Sequence, residues 1–298
     1  MNVVFLISDY VLHNRIVEDY VAARPGDRVS VVKVPLVLKG KGRAETARRI
    51  VPRLSRRFLA GKASEFVVLL AVTVLPKLYR RGAVFRRLRR IARRHGLPFL
   101  KTGDVMADAT LAWIRAREPD VIVSLFHQIL QPPLIALARH GVVNVHPGLL
   151  PGFKGIQPYF WCLSEGAGRS GATLHRIEDA GIDTGAILAR ASFPTWPGMS
   201  LQLNYHLALK AASALLPRCV AALAEGRLAP RAQEPGGAYW RWPDSAAYDR
   251  LASRGHALWR WRDLHAILRG DHDDHEAEEI VHLRAREGGV RGPSRAST

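Results

Sequence analysis

Cysteine is almost missing from this chain: Cys162 and Cys219 are the two among 298 residues. They allow one disulfide at most, which excludes a disulfide framework, and nothing in their spacing suggests a thiolate metal site. Lysine is scarce as well, 8 residues against 36 arginines. Acidic residues fall short of basic ones, 26 against 44, and the net charge is +18. Such a field favours anionic partners: nucleic acid, phosphorylated substrates or a membrane surface. An arginine-rich coding bias that fills solvated faces accounts for the same excess. The conspicuous apolar run, FVVLLAVTVL at 66–75, has ten residues before Pro76, about half of the ~20 that cross a bilayer. It is expected in the core as a helix or strand, with an interfacial patch over 66–94 as the alternative. The start, MNVVFLISDYVLHN, lacks a basic region ahead of its apolar residues and reads as a first core strand rather than a signal peptide. A cytoplasmic location is the expectation. Internal repeats are absent.

Hydrophobic residues make up 48% of the chain, so a sizeable core is expected. Short apolar runs at 2–7, 28–34, 120–124, 142–145, 171–177 and 186–191 predict strands. Helical patterns fall at 11–22, 105–117 (with Asp104 as its cap), 132–139 and 200–225. Strands alternating with helices predict an α/β fold with a mainly parallel sheet, whose ligands lie at the carboxyl ends of strands near a switch in strand order. Residues 36–95 predict a basic, mainly helical insertion. Within it, the run at 80–96 places Val84, Phe85, Leu88, Ile91 and Ala92 at helical spacing beneath a basic face. Composition changes near residue 228. The expected division is a catalytic domain over 1–228, a small C-terminal subdomain over 229–270 and a polar, disordered tail over 271–298. The Asp/His run near 271–275 belongs to that solvated tail, and no metal is expected.

Three blocks carry chemistry. Asn144 and His146 are two apart at the end of a predicted strand, so both side chains share a face. Pro147 has no N–H and ends the ladder there. An amide and an imidazole delivered together suit an oxygen that becomes negative when a carbonyl is attacked. A pair that merely closes a loop has the same spacing. In Gly181-Ile182-Asp183-Thr184-Gly185, glycines flank an acid in a tight loop. Asp183 can orient His146 or take a proton from an attacking amine; a turn aspartate reads the same way. Thr173 and His175 alternate on the strand before that loop, where His175 either supports the site or is a half-buried core histidine.

Together these blocks resemble the formyltransferase family, which includes glycinamide ribonucleotide, methionyl-tRNA and sugar N-formyltransferases. The shared pattern runs through Asn144, His146 and Pro147, then Leu149-Leu150-Pro151, Gly155, Thr173, His175 and Asp183-Thr184-Gly185. It spans about 118–225, with weaker agreement over 1–35. The resemblance implies a Rossmann-like formyltransferase fold and a formyl transfer from 10-formyltetrahydrofolate to an amine, with no metal. It implies that Asn144 and protonated His146 stabilise the oxyanion, that Asp183 holds His146, and that His175 supports them. It places the pterin between one loop bearing Leu125, Phe126, His127, Ile129 and Leu130 and a second formed by Glu178, Asp179, Ala180, Gly181 and Ile182. A polyglutamylated folate joins the anionic partners that the charge favours.

The loop Ser8-Asp9-Tyr10-Val11-Leu12-His13 lacks the glycines with which ribonucleotide-type enzymes approach a phosphate. The tRNA-type enzymes carry a methionine where this chain has His175, and a C-terminal barrel larger than the sequence after 228. His175, Phe153-Lys154-Gly155 and the aromatic segment Tyr239-Trp240-Arg241-Trp242-Pro243 resemble the sugar and small-amine enzymes. That likeness points Lys154, Gln157, Tyr159, Phe160, Trp161 and Tyr239 toward the acceptor. The expected function is formylation of a primary amine on a small molecule, such as an amino sugar or a natural-product intermediate. Methionyl-tRNA formylation and formyltetrahydrofolate hydrolysis are the alternatives, and a binding protein on an inactive scaffold is the reading from another class. The insertion is open to acceptor shaping, dimerisation, or contact with a membrane or carrier protein.

Overall fold

The structure is a computed structural model that describes residues 1–8, 10–35, 43–74, 86–269 and 278–283. Five parallel strands form its centre: β1 (Asn2–Ser8), β2 (Arg28–Val34), β3 (Phe99–Lys101), β4 (Val121–Leu125) and β5 (Val142–His146). Their near-continuous Val/Ile/Leu content fits strands covered on both faces. In β1, residues Val3 to Ile7 are each at most 1% exposed. Three further strands continue the sheet antiparallel, each to its neighbour: β7 (Arg169–Ile177) beside β5, β8 (Ile187–Pro194) beside β7, and β10 (Glu278–Val281) beside β8. The sheet order is β10-β8-β7-β5-β4-β1-β2-β3. A separate parallel pair joins β6 (Phe153–Gly155) to β9 (Ala238–Trp240).

From β1 the chain builds outward through β2 and β3, then crosses back to β4 and β5. The switch in order therefore falls between β1 and β4, and in sheets of this kind ligands bind beyond the carboxyl ends of the strands at such a switch. Helices α1 (Val11–Ala23) and α8 (Leu201–Ala224) pack on each other. Helix α8 is long and apolar enough to cross a membrane, yet 67% of its apolar window is buried inside the fold. It is the core helix. Its start is capped by Ser200, whose Oγ accepts the Leu203 N–H at 3.2 Å, a cap of about 1 kcal/mol.

The insertion contains α2 (Arg43–Ile50), a short 3₁₀ turn, α3 (Arg56–Val74) and α4 (Leu88–Arg94). Several expectations change here. The apolar run from 66 is not simply core: Phe66 and Val67 are 66% and 63% exposed. Helix α3 turns Phe58, Gly61 and Glu65 inward, and a helix seated on one partner leaves its other face wet. The basic helix expected from 80 to 96 is helical at Leu88–Arg94, burying Leu88, Ile91 and Ala92; Val84 and Phe85 lie outside the described residues.

Helix α5 (Asp108–Arg115) follows Ala107, not Asp104. The Asp104 Oδ1 accepts the Met106 N–H at 2.8 Å, a local turn that competes with capping. Helix α6 stops at Pro132–Ile135, because Arg139 and His140 donate backbone hydrogen bonds to Pro119 and Asp120 and are drawn away. Helices α7 (Pro158–Ser164), α9 (Ser245–Ser253) and α10 (Trp261–Arg269) complete the chain. Strand β10 falls inside the segment expected to be a disordered tail; the Asp/His run at 271–275 lies outside the described residues.

Candidate active site

Strands β5 and β7 bring the predicted groups together by register. Asn144 pairs with His175, and His146 with Thr173. Side chains of directly opposed residues meet, and the Asn144 amide Nδ2 donates to His175 Nε2 at 2.9 Å. His175 Nδ1 donates to the Arg176 carbonyl at 2.8 Å. A neutral ring carrying its proton on Nδ1 satisfies both contacts. Thr173 Oγ1 donates to Gly148 O at 2.7 Å and accepts the Leu150 N–H at 3.1 Å, which pins the turn after His146.

Asp183 closes the constellation. Its backbone is left-handed, at φ 54, a conformation that aspartate tolerates in turns. One oxygen, Oδ2, accepts the Gly155 N–H at 2.8 Å. The other lies 3.4 Å from His146 Nδ1 and 3.4 Å from His175 Nε2, an ion-pair distance rather than a hydrogen bond. His146 Nε2 donates to the Phe153 carbonyl at 2.7 Å. Both nitrogens of His146 thus face an acceptor, the pattern that a doubly protonated ring satisfies. Burial raises the Asp183 carboxyl, but the His146 charge, the His146 ring contact and the Gly155 N–H outweigh it and hold the group far below the usual carboxylate range.

Two glycines and a glutamine fix this loop. A Cβ on Gly185 would sit 1.9 Å from Arg176 O, and one on Gly155 (φ 96) would sit 2.4 Å from Trp240 O. Gln233 Nε2 donates to Asp183 O and Gly185 O, both at 2.8 Å. Sequence reasoning missed Gln233, and nothing near it in the chain signals the role.

The expected folate loops are placed as follows. Leu125 and Leu130 are buried, whereas His127, Ile129 and residues 178–182 are exposed. Phe126 and Ile177, at the feet of the two loops, pack against one apolar cluster with Leu130 and Val142. Of the acceptor residues, Tyr239 is 48% exposed beside Lys154, its register partner, and Lys154 Nζ donates to Gly236 O at 3.1 Å. Gln157 is left-handed at the start of α7, and its Oε1 is buried with no hydrogen-bond partner among the described residues. Tyr159, Phe160 and Trp161 do not face an open acceptor site. All three are buried, and Tyr159 is stacked on Tyr205 with ring centres 4.0 Å apart.

Beyond the carboxyl end of β1 lies a cluster that the sequence reading did not assemble. Tyr10 donates to Glu65, a buried acid of α3 that also pairs with Lys62 at 2.7 Å. His13 contacts the Tyr205 hydroxyl, and burial lowers its pKa to about 3. The available signal was Glu65 itself, the one acid in α3.

The profile of the family described as formyl transferase matches residues 1–220. The chain belongs to that family. Methionyl-tRNA formyltransferase of Trichlorobacter lovleyi is 34% identical over 148 residues, covering 49% of this chain and 46% of that protein. The chain thus matches about half the length of this curated formyltransferase. Among solved formyltransferases, phosphoribosylglycinamide formyltransferase from Anaplasma phagocytophilum shares the fold at TM-score 0.54 and 19% identity, covering 78% of this chain and 93% of its own. An N-formyltransferase from Helicobacter canadensis, solved with folinic acid and dTDP-3-aminofucose, aligns at TM-score 0.51 and 15% identity, covering 80% and 70%.

Proposed function

We propose that this protein transfers a formyl group from 10-formyltetrahydrofolate to a primary amine of a small molecule, an amino sugar or a related intermediate. The observation that carries the reading is Asp183, held deprotonated between the Gly155 N–H and the rings of His146 and His175. The co-substrate supplies the formyl carbon. The chain's groups fit it: Ile129 and Ile182 are 49% and 40% exposed, apolar walls for a flat ring.

The proton on His146 Nε2, now given to Phe153 O, is the one available to an oxygen that gains charge at the formyl carbon. The Asn144 amide is the second donor. Two such donors placed beforehand lower a barrier by several kcal/mol, roughly 3–4 for one donor. Asp183 faces Nδ1 at ion-pair distance, which leaves Nε2 as the nitrogen turned toward an acceptor oxygen. The acceptor amine loses a proton as it adds to the formyl carbon, and the folate nitrogen N10 takes one up as its bond to that carbon breaks; the Asp183 carboxylate is the group at hand to accept the first and return it as the second.

A small acceptor is supported by the aromatic tail. Trp240 stacks on Trp161 at 4.4 Å between ring centres, and β9 lies against β6, whose Gly155 binds Asp183. The acid at Glu65 and the side chains that fill the β1 loop disfavour a phosphate there. Methionyl-tRNA is the second reading, favoured by the named relatives and by the +18 charge. Release of tetrahydrofolate and formate from 10-formyltetrahydrofolate, with and without a panel of amines, tests the proposal. Tetrahydrofolate release that depends on a small amine supports it. Release that depends on Met-tRNA, with strong salt dependence, replaces it with the second reading. Formate release without any amine makes the protein a hydrolase.

A further inference from the structure

Helix α3 carries a face that the catalytic reading does not use. Ala60, Ala63, Phe66 and Val67 recur at helical spacing on its solvent side, and all four are exposed. Two of them are large: Phe66 at 66% and Val67 at 63%. Beside this turn of the helix, Trp259 donates its indole N–H to Ser64 Oγ at 3.2 Å. Two residues on, Trp261 is 63% exposed at the start of α10. Large exposed apolar side chains on α3, joined through the Trp259–Ser64 hydrogen bond to a segment that carries a further exposed tryptophan, mark a candidate interaction site.

Charge identifies the occupant. Between Glu65 and Asp104 the sequence holds ten basic residues and no acid. Arg89, Arg90, Arg93 and Arg94 are exposed along α4. Arg56 is exposed at the start of α3, and Arg262 next to Trp261. A second copy of this chain would meet the same cationic field and be repelled. Nucleic acid would use the arginines but leave Phe66, Val67 and Trp261 in water. An anionic lipid surface takes both: phosphate headgroups for the arginines, and the headgroup–acyl boundary for tryptophan, phenylalanine and valine.

We propose that the outer face of α3, with Trp261 beside it, docks this protein onto an anionic lipid bilayer. The inference is independent of the acceptor and of formyl transfer itself.

The full chain is sedimented with vesicles of phosphatidylcholine alone and of phosphatidylcholine mixed with phosphatidylglycerol. Binding to the mixed vesicles, weakened by salt, is expected. The double variant Phe66→Ser/Val67→Ser should bind about tenfold more weakly or worse, and Trp261→Ser should show a smaller loss. Both replace exposed residues, so unchanged circular dichroism and light scattering keep the comparison valid. The proposal is overturned if the wild type stays in the supernatant with anionic vesicles. It is also overturned if the double variant sediments as the wild type does. A wild-type dimer that the double variant dissociates would assign the face to a second copy instead. Turnover in free solution should match in all these proteins, so failure here leaves the catalytic reading intact.

Discussion

The strand-borne site and the inserted helix α3 treat their awkward side chains in opposite ways. Around Asp183 the polar groups are nearly dry, and their main contacts stay within the fold: Gly155, His146, His175 and, through the backbone, Gln233. Along α3 the large apolar groups Phe66 and Val67 are wet. A buried acid is costly unless paired, so the first region is over-determined by its own contacts and tolerates little change. An exposed apolar face costs the fold little, because the chain's stability does not depend on it. On the proposed reading, the difference separates residues that catalysis would constrain from residues that a partner would constrain.

The largest effect should come from removing the charge at the centre of the site. Asp183→Asn is expected to lower turnover by roughly a hundred- to ten-thousand-fold, measured as tetrahydrofolate release; a variant retaining full rate would sink the site assignment. The same variant tests the electrostatics. Burial raises the carboxyl and the surrounding donors lower it by more, so its folded value lies below the ~3.9 of an unfolded aspartate. Its stabilisation is then complete above about pH 4 and lost as the pH falls toward the folded value. The melting-temperature margin of wild type over Asp183→Asn should shrink from neutral pH to about pH 3. A margin that widened on acidification would place the carboxylate in a different environment.

Next in size is Gly185→Ala, whose Cβ meets Arg176 O at 1.9 Å. A clash with backbone cannot be relieved by a rotamer change, so a loss of about 1–3 kcal/mol is expected in denaturant unfolding. Gln233→Ala removes two hydrogen bonds from the same loop and should cost about 1–2 kcal/mol, with turnover down about tenfold as Asp183 loosens. If turnover held while stability fell, the glutamine would be a scaffold group with no part in positioning. Smallest of all is Phe66→Ser, expected within about 0.5 kcal/mol of wild type. A large loss of stability there would show α3 packed on its outer side and collapse the contrast.

Much of this was legible in the chain. Period-two alternation put Asn144 and His146 on one face, and the apolar runs gave β1, β2, β5 and α8 almost to the residue. What failed did so for identifiable reasons. Asp104 had the composition of a cap, but its side chain closes a turn onto Met106. Phe66 lies in an apolar run, and such a run does not say which residues of a helix face outward. Tyr159 was expected at the acceptor, but Tyr205, 46 positions on, stacks over it. The partnership of Asp183 with His146 follows from family likeness and from the folded loop, because no local pattern relates positions 37 apart. Strand β10 was hidden by its acids: Glu278 and Glu279 look like tail, yet they tolerate an edge position where one side of the strand meets solvent.

That last strand has a consequence in time. Strand β8 gains its outer neighbour from residues more than eighty positions later. A ribosome adding 5–20 residues per second needs roughly ten seconds to synthesise the roughly eighty residues between them. Through that interval the nascent protein presents the bare edge of β8, a template for joining to another unfinished chain. Its yield on synthesis should therefore depend on how crowded the translating messenger is, well before any question of how stable the finished protein becomes.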